Sequence, residues 1–108
     1  MIKTMKGIVP TWYTLESDET KETAFLLAPL TSAQRLNVIG VNAHDMLGET
    51  IMLVVKTAVK DFKGITDETG KALEFSLTTL ETLPTHVLME LSKEIMRTSA
   101  LTETERKN

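Results

Sequence analysis

Between Ala43 and Phe62 the apolar residues return at helical spacing, and this limits the fold more than any other feature of the chain. At 100° per residue, Leu47, Ile51, Val54, Val55, Ala58 and Phe62 share one face, while Glu49, Lys56 and Lys60 gather opposite. The β-branched run Ile51–Val55 also fits a buried strand. The length of the segment and the clustering of its charges favour a helix over Ala43–Phe62.

The flanks supply the other elements. Gly7–Leu15, "GIVPTWYTL", is rich in β-branched and aromatic residues that suit a pleated surface. Pro10 cannot donate to a ladder, so this strand lies at an edge or starts after the proline. "ESDETKE" reads as a turn and "TAFLLAPL" as a second strand, which makes an N-terminal hairpin. Thr31 and Gln34 have capping-box spacing, so a helix is expected from Ser32 to about Ile39, with Gly40 and Asn42 suited to its end. Ser76 is a candidate N-cap for a short helix to about Thr82. Pro84 fits the first turn of another helix running to about Thr98, and "TETE" at 102–105 suggests a further turn. The fold expected is α+β and predominantly α-helical, with an N-terminal β-hairpin (about 7–30) and a short hairpin between helices within the helical part (about 31–108). One domain spans 1–108, a length that buries a core without staples.

The chain has no cysteine, so disulfides, thiolate metal sites and cysteine nucleophiles are excluded, and a reducing cytosol fits. The net charge is −3 with acids and bases interleaved, which argues against nucleic acid as a partner. No apolar run is longer than the five residues of "IMLVV", far too short for a bilayer span.

The acidic stretch "KDFKGITDETGKALEFS" (Lys60–Ser76) invites a metal or catalytic reading. As a calcium loop it fails: Asp61 and Asp67 are too far apart for the first two ligands, and a ligand position falls on Lys63. As a catalytic pair, Asp67 and Glu68 sit in the most turn-like hexamer of the chain and are expected to be solvated. A hairpin through "DETGK", with Gly70 at positive φ, is the plain reading. His44, Asp45 and Glu49 do not share a helix face. His86, Glu90 and Glu94 do, but Lys93 and Arg97 crowd that surface, and a solvated charged face is the expectation. No nucleophile elbow and no phosphate-cradling glycine loop occurs. No enzyme, cofactor or metal is expected.

Four apolar residues lie off the main stripes: Met46 and Leu53 on the Ala43–Phe62 helix, Met89 and Met96 on the Pro84–Thr98 helix, each pair seven residues apart. Scattered exposed apolar side chains are ordinary. The alternative is a protein-binding surface, because methionine adapts to variable partners and a second stripe suits a homo-oligomer.

In the C-terminal half, "VKDFKGITDETGKALEFS", "LTTLETLP", "VLMELSKEI" and "SALTETERKN" follow in an order that resembles the small tail assembly chaperones of long-tailed bacteriophages and prophages. "VPTWYTLES" and "FLLAPLT" extend the likeness over most of the chain. One segment departs, "GETIMLVVKTAV", which is more apolar than the arginine-bearing helix the resemblance leads one to expect. The resemblance implies a non-enzymatic protein of the host cytoplasm that binds the tape measure protein and is displaced as tail tube protein polymerises. It also implies a frameshifted longer form as a further partner. The rival readings are a tail completion or connector protein of the virion and a small phage regulatory protein.

Overall fold

The computed structural model describes residues 9–42 and 47–107, without the side chains of 40–42, 47 and 101–107. Strands β1 (Thr11–Thr14) and β2 (Ala24–Leu27) are followed by helices α1 (Ser32–Asn42) and α2 (Leu47–Ala58), strand β3 (Val59–Lys63), and helices α3 (Leu77–Glu81) and α4 (Thr85–Lys107). The class is α+β, as the sequence suggests: the described residues form a three-stranded antiparallel sheet in the order β1-β2-β3 beside four helices.

The N-terminal hairpin forms as expected, with β1 beginning directly after Pro10 and lying at the sheet edge. Thr14 pairs with Ala24 and Thr11 with Leu27. Asp18 organises the loop between them by accepting from the backbone N–H of Thr20 (3.2 Å) and of Thr23 (2.9 Å). The N–H of Thr23 and the hydroxyl of Thr20 then hold the Asp18 carboxyl below its ordinary pKa.

One element differs in type from the sequence reading. The helix expected to reach Phe62 stops at Ala58, and Val59–Lys63 is a strand that pairs with β2. Leu26 faces Asp61 and Leu27 faces Val59, so Lys60 is an extra residue in β3, a β-bulge. Because of that bulge Val59 and Phe62, three apart, both turn to the core. Three is also a helical spacing, which is how a strand came to resemble the continuation of α2. The part of the expected helix over 43–46 lies outside the described residues.

Local signals elsewhere hold. The capping box closes in both directions: Thr31 N–H donates to Gln34 Oε1 (2.9 Å) and Gln34 N–H to Thr31 Oγ1 (3.2 Å). Ser76 Oγ accepts from Thr79 N–H at 3.0 Å and starts α3. α4 does not stop at Thr98 but continues to Lys107. The small hairpin is present as a single bridge, Thr66 to Ala72. Gly70 is at φ +87° in its turn, and the N–H groups of Thr69 (2.8 Å) and Lys71 (3.0 Å) donate to Asp67 Oδ1. Oδ1 of that carboxylate thus shapes its own loop.

The inner face of the sheet meets α2 and α4 in one core. Phe25, Val54, Val55, Leu80, Leu91 and Ile95 are wholly buried there. Full burial of such side chains stabilises by roughly 1.5–3 kcal/mol each. The rings of Phe25 and Phe62 meet edge to face at 6.1 Å, and Phe62 meets Phe75 at 5.4 Å, which ties the segment before α3 to the sheet. Among the described residues two polar side chains are buried, Thr50 and, wholly, Ser99. Ser99 joins two elements of the core. Its Oγ accepts from Leu30 N–H (2.7 Å) and donates to the Ile95 carbonyl (2.6 Å), so the end of the hairpin is fixed to α4.

Candidate protein-binding surface

α4 presents two sides. Val87, Leu91, Ile95 and Ser99 recur every four residues and are buried, which fixes the rotation of the helix. Met89 and Met96 are two turns apart and nearly aligned, yet their surroundings differ. Met89 is 52% exposed, whereas Met96 is half-buried and packs against the core. Leu53 on α2 is likewise half-buried against the core. Met46 lies outside the described residues. Of the four residues singled out in the sequence, Met89 alone is shown as an open apolar contact.

Other apolar side chains are exposed as well. Leu36 (68%) and Ile39 (57%) stand three apart on α1, while Val38 between them is buried. Trp12 projects from the edge strand, and the ammonium of Lys63 sits 4.7 Å from its ring centroid. The sequence reading passed over these residues. Leu36 and Ile39 appear as ordinary helix positions until α2 is known to cover the opposite side of α1.

The charged face of α4 also does more than meet solvent. Glu90 accepts from the Tyr13 hydroxyl (2.7 Å) and from the backbone N–H of Glu16 (2.8 Å), and so joins α4 to the end of β1. Burial opposes the ionised form of Glu90. The hydrogen bonds from Tyr13, Glu16 and Ser17 outweigh it and hold the carboxyl below its ordinary pKa. Tyr13 is pushed up, first by burial and then by its bond to Glu90. One turn on, Glu94 engages Arg97 through Nε at 2.6 Å. His86 does not join Glu90 and Glu94 in a metal cluster, and among the described residues no group of three His, Asp or Glu is placed to hold a metal ion.

Two hollows open beside this link. One of about 390 Å³ lies between β1 and α4, walled by Trp12, Glu94, Arg97 and Thr98. A second, of about 250 Å³, shares Tyr13, Glu16, Glu94 and Arg97 with it and reaches Glu90 and Lys93. A third groove of about 340 Å³, floored by Leu15, Phe25 and Val87, lies at the opening of α4.

A family model described as YdaY prophage protein matches residues 16–108. The chain belongs to that family. The span common to the YdaY family takes in β2, β3 and all four helices, and therefore the whole helical layer and both ends of the Ser99–Leu30 link. β1 precedes the matched span, while Glu90, which anchors it, lies within. Membership of the YdaY family makes this a phage or prophage protein. No curated protein and no solved structure matches the chain. Among the described residues no helix is long and apolar enough to cross a membrane.

Proposed function

We propose that the protein is a tail assembly chaperone, a non-enzymatic protein of the host cytoplasm. It binds the tape measure protein, keeps it soluble and extended, and helps recruit tail tube subunits as they polymerise around it. The observation that carries this reading is the prophage family match over residues 16–108, which includes the ordered segments that resemble such chaperones. A long helical client exposes apolar stripes before assembly. Separate open contacts, Met89 on α4 with Leu36 and Ile39 on α1, suit weak adaptable binding to such stripes. Several copies along one client gain avidity without tight single contacts. A net charge of −3 favours solubility of the coated intermediate. A frameshifted longer form and further copies of the chain complete the partners in this reading.

Co-expression with the tape measure protein tests it. The expected result is a rise in soluble tape measure protein and its recovery in complex with this chain. Unchanged solubility, with no complex, refutes the proposal. Mass spectrometry of purified particles separates it from a connector role, because a chaperone is missing from the finished virion.

A further inference from the structure

We infer that the groove between α4 and the outer edge of β1 binds an extended, lysine- or arginine-bearing segment of a partner protein, which joins the sheet as a further strand. β1 is an edge strand, and its outward side pairs with no described strand. In an antiparallel sheet alternate residues of such a strand direct N–H and C=O groups away from the ladder. Those groups are satisfied by an extended chain and not by a helix, whose own backbone is already paired. The groove gives that chain a second wall, with Glu94, Arg97 and Thr98 of α4 across from Thr11 and Trp12.

Side chains of an added strand alternate. Those on the side of Tyr13 enter the double hollow, and those on the side of Trp12 lie along its exposed indole. The hollow determines the charge. Glu16, Glu90 and Glu94 line it against Lys93 and Arg97, and Arg97 is already engaged by Glu94. Among the described residues the donors to Glu90 are neutral, the Tyr13 hydroxyl and backbone N–H groups. The three carboxylates act on one point, since the charges of Glu90, Glu16 and Glu94 all add to burial in raising the pKa of the Tyr13 hydroxyl. A basic side chain entering there meets an excess of negative charge.

A second copy of the chain fits less well. Pairing β1 with its twin about a two-fold axis normal to the sheet allows registers centred on Trp12 or on Tyr13. The first sets Pro10, which has no N–H, opposite Thr14, and the second sets it opposite Glu16. Either register also brings two acid-rich grooves together. The inference does not depend on the tail assembly reading, which concerns a helical client.

Trp12 is the sole tryptophan and lies in β1, so its emission reports on a strand added along this edge. The probe is a capped hexapeptide of Thr, Val and Lys, with Lys at alternate positions, added to the full chain. A twin with Glu in place of Lys is the control. The Lys peptide is expected to shift the amide signals of Thr11–Thr14 and the Trp12 emission, and the Glu twin to bind at least roughly tenfold more weakly. Glu16→Lys should weaken the Lys peptide by about tenfold and Arg97→Glu should tighten it, both at exposed side chains. Opposite changes from two surface substitutions are not the mark of a folding defect. No response at millimolar peptide overturns the inference, as does an equal response to both peptides. A dimer that protects the β1 amides also overturns it, because a second copy then occupies the edge.

Discussion

Replacing Gly64 with alanine should be among the most damaging single-methyl changes in this protein. Gly64 follows β3 at φ +77°, a region that L-residues enter at a cost of roughly 1–2 kcal/mol. An added Cβ would overlap the Glu22 carbonyl oxygen, 2.8 Å from the carbonyl carbon and 3.0 Å from Thr23 Cα. All three are backbone atoms of the two residues just before β2, so no side chain can swing aside. The Gly64 carbonyl also accepts from the Thr23 hydroxyl at 2.8 Å, so relief of the overlap pulls the β2–β3 ladder apart where it begins. A backbone shift of this kind adds about 1–3 kcal/mol to the dihedral cost. The sum, about 2–5 kcal/mol, is a large share of the 5–15 kcal/mol typical of a domain. Gly70→Ala is the control. Gly70 has φ +87° but nothing within 4 Å of an added Cβ, so it carries the dihedral cost alone. Urea unfolding of both variants measures the difference from the midpoints. Equal destabilisation would show that the approach of Gly64 to Glu22 contributes nothing, and the reasoning would fail.

Three further outcomes are expected. Ser99→Ala leaves the Leu30 N–H buried without its acceptor and should lower stability by about 1–3 kcal/mol, read by the same unfolding assay. Glu90 has a depressed folded-state pKa, so its stabilisation is present above the unfolded value of about 4.3 and is lost as pH falls through the folded value; Glu90→Gln should therefore be less stable than the parent near pH 7, with the gap closing on acidification in pH-resolved melts. Met89→Ser should change stability by less than about 0.5 kcal/mol while weakening client capture in pull-downs, whereas Leu53→Ser and Met96→Ser, which face the core, should each cost about 1 kcal/mol or more in thermal melts.

What the sequence displayed follows the range over which each interaction acts. The caps at Thr31 and Ser76, the turn at Gly70 and the proline-limited edge strand depend on neighbours within a few positions, and each is found as read. β3 depends on pairing with β2 across two helices. Its bulge at Lys60 removed the alternation that marks a strand and left a spacing that extends α2. The one available hint was the β-branched and aromatic composition of "VKDF" before a glycine turn. Glu90 was hidden for the same reason, since its partner Tyr13 is 77 positions away. The surface split similarly. Met89 was legible from the helical pattern of α4, but the exposure of Leu36, Ile39 and Trp12 depends on which faces the neighbouring elements cover.

The direct passage from Ala58 in α2 to Val59 in β3 bears on how the chain reaches its native state. The β1–β2 hairpin closes a short loop and can form within microseconds. β3 joins it only by closing a loop that holds α1 and α2, because Leu27 and Val59 bracket both helices. With no linker to absorb a misaligned helix, the angle at which α2 settles is also the angle at which β3 arrives. Completion of the sheet and seating of the helical layer are then one kinetic event, governed by a long loop closure. Probes in the hairpin and in α2 should lose their signals together on unfolding, and a nascent chain stopped before Val59 would expose the unfilled edge of β2 until the next few residues emerged.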